Sequence, residues 1–93
     1  MDDWKNALLK STIPERMHGG ITRWIENGVR PGHFLCAVLR NDLFGACSRA
    51  DDDNRPLIWV YVSWLYNNAP GGCWGSPERF DSWAKAHEEK RRA

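Results

Sequence analysis

The chain has 93 residues, of which 42% are hydrophobic and 27% are charged, and its formal net charge is +1. A chain of this length is expected to fold as one domain, and folding can bury roughly 60–70% of its unfolded surface. The nearly neutral charge provides no general attraction to nucleic acid or to anionic membranes, so an electrostatic interaction surface would have to be a local patch.

The first third of the chain predicts two helices. Residues 2–10 suit a short helix that is capped by Asp2 or Asp3 and that needs packing partners to be stable. Residues 14–27 predict a longer helix, because four apolar residues recur on one face at helical spacing. These residues are Met17, Ile21, Trp24 and Ile25. Gly28 is expected to end this helix as its C-terminal cap.

The middle of the chain contains a turn, an apolar run and an interruption. Residues 29–32 predict a turn, and residues 34–40 predict a helix. The pair Asn41-Asp42 then interrupts the apolar pattern. Asp42 either faces solvent in one helix that continues or kinks, which we favour, or it caps a second short helix. That second helix, residues 43–49, would pack through Leu43, Phe44, Ala46 and Cys47.

Residues 57–66 form the most apolar segment of the chain, although their β-branched and aromatic residues also give them strand propensity. Asp53 or Asn54 can cap a helix here, and Pro56 suits its first turn. No second strand-like run is available for pairing, so we predict a helix over residues 57–67. A helix that is apolar nearly all round belongs in the centre of a core. Its predicted core residues are Ile58, Val62, Trp64 and Leu65.

A loop over residues 67–72, rich in Asn, Gly and Pro, separates this helix from the last one. Ser76 and Pro77 mark the start of the last helix, as its N-cap and its first helical residue. Its inward-facing stripe is expected to contain Phe80, Trp83, Ala84 and His87. Residues 88–93 are highly charged and are expected to fray.

The predicted fold class is all-α, a compact single-domain bundle of four to five helices over residues 1–93 around the central apolar helix 57–67. Six tryptophans are many for a core of this size, so we expect one or two of them to reach the surface. No run approaches the ~18 apolar residues that a membrane span needs. The acidic start of the chain lacks an apolar signal segment, so we expect a cytoplasmic protein.

The reactive residue types are scattered and form no catalytic or metal-binding signature. Cys36, Cys47 and Cys73 show no paired spacing, which predicts free, mostly buried thiols in a reducing compartment. His33 and Cys36 could share a helix face, but two ligands do not close a metal site. The chain has no glycine-rich phosphate loop followed by lysine and a helix. We therefore predict no enzyme activity, no metal and no cofactor.

Arginine and tryptophan supply the remaining candidates, because both are enriched at binding hot spots. The predicted binding residues are Arg40, Arg55, Trp59 and Trp74. Trp74 lies in a glycine-flanked loop, and its alternative role is that of a lid folded back on the core. The arginines of residues 16–40 could also contact nucleic acid. Acidic residues stand among these arginines, which favours an ordinary solvated surface.

Short motifs of caps, turns and core positions run along most of the chain. They are IPERM at 13–17, NG at 27–28, PGHFLCAVLRNDL at 31–43, AD at 50–51, Asn54, WLYNNAP at 64–70 and WGS at 74–76. Across residues 13–83 this pattern resembles a group of small, uncharacterised accessory proteins of tailed bacteriophages and of prophages of proteobacteria. The resemblance implies an accessory phage gene and transfers no catalytic residue. Such proteins commonly bind and disable a host factor, including CRISPR complexes or cyclic-nucleotide signalling.

We therefore predict a non-enzymatic, phage-type accessory protein that binds and modulates a host protein or complex, with inhibition of a host defence such as CRISPR as one form of this role. The alternative is a helical module that sequesters a small ligand or nucleotide, or that binds nucleic acid. The excess of tryptophan also makes a homodimer a reasonable expectation.

Overall fold

The computed structural model describes residues 3–92, and within this range all regular structure is helical. The α-helices are α1 (Asp3–Lys10), α2 (His18–Asn27), α3 (His33–Leu39), α4 (Leu43–Arg49), α5 (Ile58–Asn68) and α6 (Pro77–Arg92). Short 3-10 helices at Glu15–Met17, Arg55–Leu57 and Gly71–Cys73 precede α2, α5 and α6. The predicted all-α bundle is confirmed, with six described α-helices in place of the four to five expected.

The second helix follows the predicted periodicity. Its buried residues are Ile21, Trp24 and Ile25. Gly28 ends the helix at a left-handed φ of 65°, where its N–H donates to the carbonyl of Trp24 at 2.9 Å. A Cβ added to Gly28 would lie 2.5 Å from the Cβ of His87 in α6. Glycine therefore ends α2 and also leaves room for α6 to pack against this end.

The pair Asn41-Asp42 separates two helices. α3 ends at Leu39, and Asn41 takes a left-handed φ of 62°, which asparagine tolerates better than most residues. Asp42 then caps α4, because its Oδ1 accepts a hydrogen bond from the N–H of Gly45 at 2.9 Å. The favoured prediction of one continuing or kinked helix is therefore wrong, and the capped alternative describes the structure.

Trp24 is the centre of the contacts between α2 and the C-terminal part of the chain. Its side chain is fully buried and stacks on Phe80, with ring centroids 4.4 Å apart and 17° between the planes. Its Nε1 donates to the carbonyl of Cys73 at 3.0 Å. The Nε1 of Trp83 donates in turn to the carbonyl of Trp24 at 2.9 Å. One residue of α2 thus fixes the position of both the 71–73 turn and α6.

The fifth helix packs on the core with one side only. Tyr61, Trp64 and Leu65 are buried, whereas Ile58 is half-buried and Val62 is exposed. The helix itself is confirmed, since it runs over Ile58–Asn68. The expectation that this helix lies in the centre of the core is wrong, and so is the prediction that Val62 is a core residue. The remaining side of α5 is a surface of the protein.

Asn54 anchors the acidic connector beneath α5. Its side chain is buried, and its Oδ1 accepts a hydrogen bond from the hydroxyl of Tyr61 at 2.6 Å. Its backbone N–H donates to Oδ1 of Asp51 at 2.8 Å. The Asn54 side chain makes no capping bond, so the predicted capping role is replaced by a tertiary contact.

Two groups buried in the core couple stability to alkaline pH. Burial raises the pKa of Tyr61 to about 12 and the pKa of Cys73 to about 12. Both groups release their protons more readily in the unfolded chain, whose reference pKa values are 10.0 and 9.0. Their contribution to stability is therefore complete below pH 9 and is lost as the pH rises through about 12.

We expect the free energy of unfolding, measured by urea titration, to fall as the pH rises from about 9 to about 12. The Tyr61→Phe variant should fall less steeply with pH, because it lacks the phenol. At neutral pH it should also be less stable by about 1–3 kcal/mol, since it leaves the buried Asn54 oxygen without a donor. A parallel pH dependence in both proteins would contradict the assignment to Tyr61.

The last helix confirms its predicted start and inner stripe. The Ser76 hydroxyl accepts a hydrogen bond from the N–H of Arg79 at 3.1 Å, as an N-cap does. Phe80 and Ala84 are buried in the stripe. The charged segment 88–92, predicted to fray, belongs to α6 in the structure, and residue 93 lies outside the described residues. None of the helices within residues 3–92 has the length and apolar character to cross a membrane.

Candidate protein-binding surface

Arg40, the first predicted binding residue, is engaged within the protein. Its Nη1 lies 3.3 Å from Oδ1 of Asp81, and its guanidinium carbon lies 5.3 Å from the ring centroid of Phe80. Arg30 approaches the same Asp81 oxygen at 3.9 Å. Arg40 therefore helps to hold α6 against α3 and is partly covered.

Arg55 is likewise occupied by local contacts. Its Nη2 donates to the carbonyl of Ala50 at 2.9 Å, and its Nη1 lies 3.2 Å from Oδ1 of Asp52. These bonds close the connector between α4 and α5. The guanidinium remains exposed, but it serves first to satisfy a carbonyl at the C-terminal end of α4.

Trp74 takes the alternative role that its sequence context suggested. It is half-buried and packs against the hydrophobic core, and the N–H of the next residue, Gly75, donates to the carbonyl of Leu39 at 2.9 Å. Trp59 is exposed, whereas the other five tryptophans are buried or half-buried. Of the four predicted binding residues, Arg40 and Arg55 are held by contacts within the chain and Trp74 is half-buried, whereas Trp59 presents a large, mostly exposed side chain.

Five large apolar or aromatic residues of α4 and α5 are exposed. The exposed fractions are 69% for Leu43, 84% for Phe44, 71% for Trp59, 40% for Val62 and 78% for Tyr66. We call these five residues the apolar face. Single exposed apolar residues are common, but a contiguous group of this size usually marks an interaction site.

The two halves of the apolar face meet at a groove between α4 and α5. The groove is lined by Val38, Asn41, Asp42, Leu43, Ala46, Ile58 and Val62. Leu43 and Val62 belong to the apolar face, so they join its α4 half to its α5 half. On α5, Trp59, Val62 and Tyr66 stand at i, i+3 and i+7, which places them on one side of a helix.

Local packing explains why these side chains face outward. In α4 the small residues Gly45 and Ala46 are the buried ones, so Leu43 and Phe44 are turned to solvent. The orientation of α4 follows from the Asp42 cap, which fixes its first turn. In α5 the inward side is filled by Tyr61, Trp64 and Leu65, which leaves the opposite side uncovered.

The apolar face carries no charged side chain of its own. Residues 43–48 and 56–77 contain no Asp, Glu, Lys, Arg or His. Asp42 precedes α4, Arg49 is the last residue of α4, and Arg55 precedes α5. The cores of protein interfaces are similarly depleted of charge and enriched in aromatic residues.

A second groove borders the apolar face beside Trp59. It is lined by Lys10, Ser11, Thr12, Trp59, Val60, Ser63, Trp64 and Asn67. The indole N–H of Trp64 is buried there without an acceptor among the described residues. The ring of Trp64 stands edge-on to Trp4, with centroids 6.5 Å apart and planes at 86°.

A third, more polar groove contains Arg16, His33, Arg49 and Asp51. The Arg16 Nη2 lies 2.8 Å from Oδ2 of Asp51, and this contact raises the pKa of Arg16. The pKa of Asp51 is lowered, first by the Asn54 N–H and then by Arg16. The positive charge of Arg16 is therefore balanced by Asp51 of the connector, which Arg16 in turn holds in place.

The three cysteines differ in accessibility. All are free thiols; Cys73 is buried, Cys36 is half-buried with its Sγ 3.2 Å from the carbonyl of Pro31, and Cys47 is exposed. Burial raises the pKa of Cys36 as well as that of Cys73. Within residues 3–92, no three His, Cys, Asp or Glu side chains come together as a metal ion would require.

At low protein concentration we expect alkylation of one thiol to be fast, at Cys47, and of a second to be slower, at Cys36. Cys73 should react only after unfolding, because its side chain is fully buried and its thiolate is disfavoured. Mass spectrometry of peptides after timed alkylation measures this order. All three cysteines are predicted to be dispensable for folding, and a fold lost together with bound zinc on chelation would contradict that.

The apolar face was not predicted from the sequence because Val62 was assigned to the core, and Leu43 and Phe44 were expected to pack inward in the alternative with a capped second helix. A usable signal was present: the uncharged stretch 56–77 is too long to be buried entirely in a domain of 93 residues.

Comparison with models of protein families, with curated proteins and with solved structures found no match, so the interpretation of this surface depends on its geometry.

Proposed function

We propose that this chain is a non-enzymatic binding protein that associates with another protein through the apolar face. The observation that carries the proposal is the exposure of Leu43, Phe44, Trp59 and Tyr66, each more than two-thirds exposed, within uncharged stretches of the two adjoining helices α4 and α5. Covering such side chains stabilises a complex by removing apolar surface from water. Aromatic residues at the centre of an interface also contribute most of the binding energy.

The alternative of a nucleic-acid or nucleotide binder has weaker support. Arg16, Arg30, Arg40 and Arg55 each lie within 4 Å of a carboxylate of the same chain. Binding a phosphate would require these arginines to exchange an existing partner for a new one. Binding of a protein to the apolar face, in contrast, breaks no ion pair of these five residues, because none of them is charged.

The resemblance to phage accessory proteins suggests the class of partner. On this proposal the partner is a host protein or complex of a proteobacterial cell, and a defence complex such as CRISPR is one member of that class. The face is suited to a partner whose own contact surface is mostly apolar, because its five side chains are uncharged, and Asp42 in the adjoining groove is a charge that the partner would have to match.

A capture experiment with matched variants tests the proposal. Tagged wild-type protein is incubated with a proteobacterial lysate, beside Phe44→Asp and Trp59→Ala variants. The controls are Leu9→Asp and Val29→Asp, which change exposed apolar residues outside both grooves of the apolar face. We expect one protein to be retained by wild type and by both controls, and its affinity to fall about thirtyfold or more in the face variants.

Two further readouts separate the alternatives. Arg55→Ala should retain the partner if Arg55 acts only within the connector, and should lose it if the sequence-based assignment of Arg55 to the binding site holds. Absorbance at 260 nm that co-purifies with wild type would favour the nucleotide alternative. Equal capture by wild type and by the face variants, all with unchanged melting temperatures, would refute the proposed surface.

A further inference from the structure

We propose that a second copy of this chain covers the apolar face, so that the protein forms a twofold-symmetric dimer through α4 and α5. This inference deepens the proposed function, because it accepts the same face as a binding surface and names its occupant in the isolated protein. Three features favour a second copy of the chain as the occupant of the face. They are the area of the face, its lack of charge and the nearly neutral charge of the whole chain.

The area is that of a dimer interface. With about 150–250 Å² available on each aromatic side chain, the exposed fractions of Phe44, Trp59 and Tyr66 alone correspond to roughly 350–580 Å², to which Leu43 and Val62 add further apolar area. A stable interface of standard size buries about 800 Å² on each partner. The five residues and a narrow rim around them are therefore sufficient, whereas an ordinary monomer surface seldom leaves so large an apolar patch uncovered.

The absence of charge makes the face compatible with itself. In a twofold interface the same patch meets itself, so every charge on it would be duplicated across the contact. The uncharged segments 43–48 and 56–77 avoid this repulsion, and Asp42, which lines the groove, is a carboxylate that a twofold contact has to leave in contact with water. The formal net charge of +1 also means that two whole chains repel each other very little.

Position 47 provides a built-in reporter of the contact. Cys47 is exposed, and it lies one helical turn from Leu43 and three residues from Phe44 on α4. Pairing of the apolar face would cover this thiol. Cys36 is half-buried and Cys73 is buried within the fold of one chain, so their reactivity serves as an internal reference for folding.

Sedimentation equilibrium of untagged wild-type protein tests the inference over concentrations from about 1 µM to about 500 µM. We expect the mass to rise from that of one chain towards that of two. Phe44→Asp should weaken association about thirtyfold or more, because it places two carboxylates in one apolar contact. Leu9→Asp and Val29→Asp should leave it unchanged, and melting temperatures measured at about 1 µM, where wild type is monomeric, should match wild type in all these variants.

Two further measurements use the same samples. Alkylation of Cys47 should slow as wild-type concentration rises, relative to Cys36, and should not slow in Phe44→Asp. Raising NaCl from about 0.05 M to about 0.5 M should leave association unchanged or stronger, since an uncharged contact has nothing to screen. Association that disappears in salt, or that persists in Phe44→Asp, would overturn the inference.

The outcomes distinguish this inference from the proposed function. A wild-type protein that stays monomeric throughout, yet captures a lysate protein through the apolar face, overturns the dimer and leaves the proposed function standing. A dimer that dissociates in Phe44→Asp, with no lysate protein captured by either form, supports the dimer and removes the proposed host partner.

Discussion

Replacing Trp24 by alanine should remove a large share of the protein's stability. Removing a buried tryptophan typically costs about 3–5 kcal/mol. Trp24→Ala also leaves the carbonyl of Cys73 without its donor and takes away the ring that stacks on Phe80. A domain of this length is expected to be stable by about 5–14 kcal/mol in total, so the loss would consume a large share of its stability.

The measurement is thermal and urea unfolding, followed by far-ultraviolet circular dichroism. Trp59→Ala is the matched control, because it removes the same residue type from the surface, where a change of about 0.5 kcal/mol or less is expected. A Trp24→Ala protein that melts within a few degrees of wild type would show that α2 and α6 do not depend on this residue. A Trp59→Ala protein that melts early would instead place Trp59 in the core.

The second large effect is expected for Gly28→Ala. A left-handed φ costs an ordinary L-residue about 1–2 kcal/mol, and Gly28 has a φ of 65°. The new Cβ would also lie 2.5 Å from the Cβ of His87, a distance that real Cβ atoms do not reach. Either α6 moves away or the end of α2 unwinds, so the free energy of unfolding should fall by more than the conformational cost alone.

Gly71→Ala is the matched control for this prediction. A Cβ at Gly71 meets no atom within 4 Å and is not placed at a left-handed φ, so stability should be unchanged or slightly higher. The double variant Gly28→Ala with His87→Gly removes the opposing Cβ, and we expect its loss to be smaller than the sum of the two single losses. Strict additivity would show that contact with His87 is not the cause.

Local signals in the sequence were sufficient to predict most of the helices. Gly28 and Ser76 mark helix ends through their own backbone and side-chain chemistry, and both predicted ends are confirmed. The break at Asn41-Asp42 was not predicted, because the free energies of a continued helix and of a second helix capped by Asp42 differ little. An aspartate cap contributes about 0.5–2 kcal/mol, which is comparable to the stabilisation that a continued helix would gain.

The candidate surface was less predictable, because it depends on how helices are rotated against their neighbours. In α4 the smallest residues, Gly45 and Ala46, face inward, so the largest residues face solvent, which reverses the usual hydrophobic pattern. Arg40 and Arg55 were chosen for their residue type, whereas their roles are set by Asp81 and by the Ala50 carbonyl. Neither partner can be identified from spacing along the chain.

The contact between Trp24 and α6 also determines when the protein can complete its fold during synthesis. Trp83, which binds the Trp24 carbonyl, follows it by 59 residues. At typical translation rates of 5–20 residues per second, that separation corresponds to about 3–12 s. During this interval α2 has left the ribosome ahead of its covering helix, with its largest side chain accessible to chaperones and to other nascent chains. Substitutions that slow the docking of α6 should therefore lower the soluble yield in cells more than their effect on equilibrium stability alone would suggest.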